Sequence, residues 1–301
     1  MSSSTLAIWL HAARPKTLPL AIASIVCGSA VANLDNQFSL TITLLAILTA
    51  LLLQILSNLA NDYGDTVKGT DNDQRLGPRR GLQTGSISLS AMKKAIALNI
   101  ALTAGSGLTL LLLATTNLQD LLSFILLGAF AIIASIAYTM GDKPYGYRGL
   151  GDLSVLIFFG WLGVAGTYYL QVGTIDMLIL LPATACGLLA VGVLNINNLR
   201  DIDNDKACGK HTLVVRMGPR WGRAYHLVLL ASAMLCFALF ALIELKSVYG
   251  WLFLFAAPLL LHHGRAVFTS KDGAALRPMM PVMVKCALLT NLFFAAGVVL
   301  T

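Results

Sequence analysis

A chain of 301 residues that is 57% apolar and only 12% charged, with a mean hydropathy of +0.76, is not an ordinary soluble domain, where about a quarter of residues are charged. No stretch between its apolar runs is long enough for a soluble domain, so residues 1–301 read as one integral membrane domain, an all-α polytopic helical bundle. The net charge of +7 does not mark a nucleic-acid partner, because the basic residues sit in loops between apolar segments and form no basic domain.

A spanning helix needs about 20 mostly apolar residues, and nine runs qualify or nearly so, at about 17–33, 39–60, 92–116, 119–140, 150–170, 175–199, 225–245, 248–263 and 280–300. The first carries Arg14 and Lys16 before it and Ala30-Val31-Ala32 at its end, which imitates a signal peptide. Trp9, Pro15 and Pro19 argue for a retained span, and removing it would break the parity that puts the charged loops on one side. Short turns at 34–38, 117–119 and 171–174 separate helices on one side, and the long polar loops fall on the other. Of the 21 Lys and Arg residues, all but Lys246 and Lys285 fall on the long-loop side, which places that side in the cytoplasm of a bacterial inner membrane. Gly105, Gly107, Gly160, Gly163, Gly187 and Gly192 suit close helix packing. The five cysteines show no C-x-x-C spacing, and His262–His263 reads as a helix end.

Two acidic stretches close the second and sixth runs: NLANDYGDTVKGTDND from Asn58 and NINNLRDIDND from Asn195. Both open with Asn-x-x-Asn, which indicates an internal duplication: two four-helix pseudo-repeats plus a ninth helix, with the site between them. Helical spacing puts Asn58, Asp62 and Asp65 on one face, and Asn198, Asp201 and Asp205 on another. Carboxylates this close repel unless a cation separates them, and an oxygen-only ligand set suits Mg²⁺. Because Mg²⁺ keeps sites for phosphate oxygens, a diphosphate substrate completes the arrangement. Lys68 and Lys210 follow the two acidic sets closely enough to reach that diphosphate, with Arg75 and Lys143 as further contacts. The glycines of these loops allow sharp turns that could form a lid.

The pattern Asn58-x-x-Asn61-Asp62-x-x-Asp65 with Asp201-x-x-x-Asp205 resembles the UbiA superfamily of intramembrane prenyltransferases. NDYGDTVKGTD, YTMGDKPYGYRGLGD, NINNLRDIDND, GKHTLVVRMG and the early RPKTLPL are similar to its 1,4-dihydroxy-2-naphthoate polyprenyltransferase branch, of menaquinone synthesis. The resemblance implies Mg²⁺ held by both aspartate motifs, a polyprenyl diphosphate in an apolar channel open to the lipid bilayer, and alkylation of the aromatic acid with loss of CO₂. It makes Asp62, Asp65, Asp201 and Asp205 catalytic and leaves Arg148 as partner for the acceptor carboxylate. Members with an acid at the next four-residue step differ from this chain, which has Gly69 and offers Asp71 as the additional acid. Other prenyl acceptors on the same fold, 4-hydroxybenzoate or haem, remain alternatives. A CDP-alcohol phosphotransferase would need D-x-x-D-G, but Thr66 follows Asp65. A cation-coupled transporter would carry its acids nearer the bilayer midplane.

Overall fold

Helices begin where the sequence supplies a cap. The side chains of Ser39, Ser88, Asn117, Asp176, Thr212 and Ser247 each accept a hydrogen bond from a backbone N–H of the turn that follows. The computed structural model describes residues 5–301, and the regular elements among them are all helical. In chain order they are α1 (Thr5–Ala13), α2 (Leu18–Ala32), α3 (Leu40–Val67), α4 (Leu89–Ala114), α5 (Leu118–Ala137), α6 (Gly151–Val172) and α7 (Met177–Arg200). Two short helices, α8 (Ile202–Ala207) and α9 (Leu213–Met217), lead to α10 (Pro219–Glu244), α11 (Val248–Phe268) and α12 (Ala274–Val299).

Eight of the described helices are long and apolar enough to cross a membrane, and α1 with α2 makes a ninth, bent by 50°. The protein is an integral membrane protein. The bend falls at Arg14, whose backbone takes the left-handed conformation at φ 53°. The expected first span packs into the interior, with Ala23, Cys27 and Ala32 fully buried. Helix α12 packs against α2 and closes the ring.

Backbone proximity rather than side-chain bulk sets the crossing of α6 and α7. A Cβ built on Gly160 would lie 2.5 Å from the Ala183 carbonyl oxygen and 3.0 Å from Gly187 Cα. Gly163 and Gly192 are similarly confined, whereas a Cβ on Gly105 meets nothing and one on Gly107 meets only Thr49 at 3.6 Å, so those two are not packing glycines. Gly160→Ala is expected to force α6 off α7 at a cost of about 1–3 kcal/mol, read as a lower unfolding temperature in detergent.

His262–His263 is not a helix end, because α11 continues to Phe268. His263 is fully buried, its Nε2 3.1 Å from Nε2 of His226, whose Nδ1 lies 3.1 Å from Asn195 Oδ1. This polar chain joins α7, α10 and α11.

Candidate active site

A cavity of about 360 Å³ opens inside the bundle, walled by apolar side chains including Leu53, Leu110, Phe124, Phe158 and Leu162 and floored at one end by the acidic motifs. An apolar chamber with polar groups converging at one end is the usual form of a ligand site.

The duplication is real, but its register differs from the Asn-x-x-Asn match. The structure pairs Asn58 with Asn198, Asn61 with Asp201 and Asp65 with Asp205, and all six line the cavity. The pairing extends to Gly69 and Gly209, which terminate their helices at φ 73° and 71°, with Thr70 N donating to Asp65 O at 2.9 Å and Lys210 N to Asp205 O at 2.8 Å. A left-handed residue at position 69 favours glycine over an acid, which accounts for Gly69. Asn195 has no place in this register; it is buried against His226 instead. The second acidic set is not on one helix either. Helix α7 ends at Arg200, Asp201 caps it at φ −100° and ψ 14°, and Asp205 lies on α8.

Asp62 stands apart. It is buried, paired with Arg14 and with Arg80 Nε at 3.4 Å, and it does not line the cavity. Burial, then the neighbouring Arg14 charge, brings the Arg80 guanidinium down to about 9. Asp201 is likewise engaged by cations: Arg200 Nε donates to its Oδ1 at 3.0 Å, and Arg75 Nε lies 3.6 Å from Oδ2. Burial would raise its carboxyl, but the hydrogen bond and charge of Arg200 outweigh that and hold it low. Arginines therefore occupy positions where the sequence reading set a metal ion. Among the described residues no three acidic, His or Cys side chains already converge as a metal cage.

Asp65 and Asp205 are the least neutralised acids of the floor. Lys210, buried and over the Tyr147 ring at 5.1 Å, holds its Nζ 3.5 Å from Asp65 Oδ2. Burial alone would lower its ammonium, yet Asp65 and Asp205 more than offset this and raise it. Burial pushes the Asp205 carboxyl up to about 7, opposed by Lys210 and reinforced by Asp201 and Asp65. Asp71 is raised by burial against the lowering charge of Arg75, with Arg75 Nε at 3.2 Å; it seats Arg75 and is not on the lining.

Tyr147, which the sequence reading passed over, knits the loops. Its hydroxyl donates to Asp65 Oδ1 at 2.7 Å and shares a hydrogen bond with Thr70 Oγ1 at 2.6 Å, while its carbonyl accepts from His211 N at 2.9 Å. Asn204 Nδ2 donates to Thr70 O at 2.9 Å, tying the first acidic loop to the second. The other residue missed as a site member is Asn61; its alignment with Asp201 was the available signal.

The remaining expected contacts divide. Arg75 and Lys210 line the cavity, whereas Lys68 is half-buried, its Nζ 5.7 Å from the centre of the Tyr147 ring, and off the lining. Lys143 and Arg148 are exposed and off the lining; Arg148 gives only its carbonyl, to Arg216. The reason is local, since the turn Tyr145–Arg148 directs Tyr147 inward and leaves Arg148 outward. Lys143→Ala and Arg148→Ala are therefore expected to leave both substrate KM values within about twofold, measured by steady-state kinetics.

Residues 20–294 match the sequence profile of the UbiA prenyltransferase family. The Escherichia coli protein described as 1,4-dihydroxy-2-naphthoate octaprenyltransferase is 54% identical, over 97% of this chain and 95% of its own. The Haemophilus influenzae protein of the same description is 49% identical, over 100% and 98%. In structure, a UbiA homologue from Aeropyrum pernix superposes with a TM-score of 0.68 at 18% identity, over 93% of this chain and 97% of that one. One from Archaeoglobus fulgidus, bound to DMAPP and Mg²⁺, gives 0.64 at 19%, over 98% and 99%. A duplicated Asn/Asp floor beneath an apolar chamber, the profile match over most of the length and these full-length relatives agree: the chain belongs to the UbiA prenyltransferase family.

Proposed function

We propose that this protein transfers a polyprenyl group from polyprenyl diphosphate to 1,4-dihydroxy-2-naphthoate with loss of CO₂, giving demethylmenaquinol and diphosphate in menaquinone synthesis. The observation that carries the reading is the polarity of the cavity, apolar along its walls and acidic with lysine and arginine at one end. Relatives of that description at 54% and 49% identity support the acceptor.

The floor fits Mg²⁺ by its donor set. Asn58, Asn61, Asp65, Asn198, Asp201 and Asp205 offer only oxygen (and amide nitrogen) to the cavity, and a hard divalent cation suits such a donor set and the proximity of its three carboxylates. When bound, Mg²⁺ supplies charge neutralisation for the departing diphosphate. Asp65 and Asp205 would hold it, with Asn61 and Asp201 beside them, and Lys210 and Arg75 reach the diphosphate oxygens. The prenyl tail lies along the apolar wall. The C1–oxygen bond breaks with its electron pair leaving on diphosphate, the electron-rich ring forms the new carbon–carbon bond, its bond to the carboxylate breaks with CO₂ leaving and the electron pair returning to the ring, and the knitted loops keep water from the electron-poor carbon.

The arrangement of basic residues supports an orientation with this floor at the cytoplasmic face of a bacterial inner membrane. The test is incubation of membranes carrying the protein with labelled polyprenyl diphosphate and a panel of aromatic acids. Labelled demethylmenaquinol, CO₂ from carboxyl-labelled naphthoate, and loss of both in EDTA are expected. Transfer to 4-hydroxybenzoate in preference would reassign the acceptor, and absence of diphosphate release would refute the enzyme.

A further inference from the structure

One oxygen of Asp65 is already taken. Oδ1 accepts from the Tyr147 hydroxyl at 2.7 Å, and Oδ2 lies 3.5 Å from Lys210 Nζ. The hydroxyl carries one proton and an ionised carboxylate only accepts, so that proton goes to Asp65, and Thr70 Oγ1 at 2.6 Å donates to the tyrosine oxygen. A directed chain results, from Thr70 through Tyr147 to Asp65. The ring of the same tyrosine has Lys210 Nζ 5.1 Å and Lys68 Nζ 5.7 Å from its centre, both within cation–π range. Tyr147 is buried and off the cavity lining, so it acts on these charged groups and not on what the cavity holds.

We propose that Tyr147 is a positioning residue with two separable roles: its hydroxyl aims Asp65 so that Oδ2 is the oxygen offered to the metal, and its ring seats Lys210 for diphosphate. The assignment rests on the function proposed above. Lys210 now answers to Asp65 Oδ2, and it must give up that oxygen to a divalent cation because like charges repel. The ring and the charge of Asp205 remain to hold the ammonium at the cavity wall, which it already lines. The tyrosine can do this because its surroundings are fixed. Gly146 N donates to Tyr138 O at 3.0 Å, which holds the Tyr145–Arg148 turn against the end of α5. The Tyr147 carbonyl accepts from His211 N at 2.9 Å, next to Lys210, and Thr70 O accepts from Asn204 Nδ2 on α8 at 2.9 Å. The acid, the residue that aims it and the lysine thus come from three loops that are bonded to one another. A ligand held by such an outer partner binds its metal about ten to a hundred times more tightly than one left free to rotate.

The test uses the full-length protein in detergent and two readouts. The first is the Mg²⁺ concentration that half-saturates the rise in unfolding temperature, measured with a prenyl thiodiphosphate whose C–S bond resists cleavage. The second is KM for polyprenyl diphosphate at saturating Mg²⁺. Tyr147→Phe removes the hydroxyl and keeps the ring, so the Mg²⁺ midpoint is expected to rise about tenfold or more while the diphosphate KM stays within about twofold. Tyr147→Leu removes both, and is expected to show the same Mg²⁺ shift with a KM raised about threefold or more. Thr70→Val withdraws only the donor behind the hydroxyl; a Mg²⁺ shift in the same direction, smaller than that of Tyr147→Phe, is expected and serves if Tyr147→Leu fails to fold. A tyrosine that merely supports the loops would lower yield or kcat in these variants and leave the Mg²⁺ midpoint unmoved. That result, or a Tyr147→Phe loss confined to the diphosphate KM, overturns the assignment while the proposed reaction stands. A wild type whose unfolding temperature does not respond to Mg²⁺ overturns it together with the metal reading.

Discussion

Asp65→Ala is expected to reduce prenyl transfer on the order of a thousandfold, with the protein still inserted and folded. Asp65 faces the cavity, and the groups it now meets, the Lys210 ammonium and the Tyr147 hydroxyl, keep other partners: Lys210 retains the charge of Asp205, and Tyr147 retains Thr70. The variant therefore strands no buried charge, and its loss falls on the step in which diphosphate departs. Asp205→Ala should behave alike, because it occupies the matching position of the duplicated floor. Single-turnover transfer in membranes, with the amount of inserted protein measured beside it, checks both. Activity within tenfold of wild type at saturating Mg²⁺ would remove these acids from the metal set.

Asp62→Ala should fail in a different way. It leaves Arg14 and Arg80 without their shared carboxylate, and stripping one partner from a buried ion pair costs about 3–5 kcal/mol. The 22% exposure of the Arg14 side chain moves the expected cost toward the lower end. Loss of folded, extractable protein is the expected result, not an inserted but inactive enzyme. The double variant Asp62→Ala/Arg80→Met removes one of the two stranded cations and should recover much of the yield, read by size-exclusion chromatography in detergent. Were the single variant fully folded and inactive, Asp62 would belong with the metal ligands, as the local sequence pattern suggests.

The contrast between Asp62 and Asp65 marks where reading the sequence stops. With about 100° of rotation per residue, Asn61, Asp65 and Asn58 span a sector of about 60° on α3, and Asp62 lies about 40° beyond its edge. In the second set Asn198, Asp201 and Asp205 are the matching residues, and the position that corresponds to Asp62 is Ile202. Periodicity places all four residues of the first set on one broad face, but it does not say which part of that face meets the cavity and which meets Arg14, 48 positions earlier. The same limit explains Lys143 and Arg148, whose distance along the chain from the acidic motifs carries no information about which way the Tyr145–Arg148 turn points. His263 was misread because nothing near it in the chain announces His226 across the α10–α11 interface.

What composition and local pattern determined is the membrane architecture: about nine apolar runs and the presence of two acidic motifs. These follow from interactions within one helix turn or from transfer of whole segments out of water, and both are written locally in the chain. The tertiary structure decided the register of the duplication, the removal of Asp62 from the floor, and the entry of Asn61 and Tyr147. Those depend on contacts between helices distant in sequence, where burial makes each charge answer to whichever partner packing brings within a few ångströms.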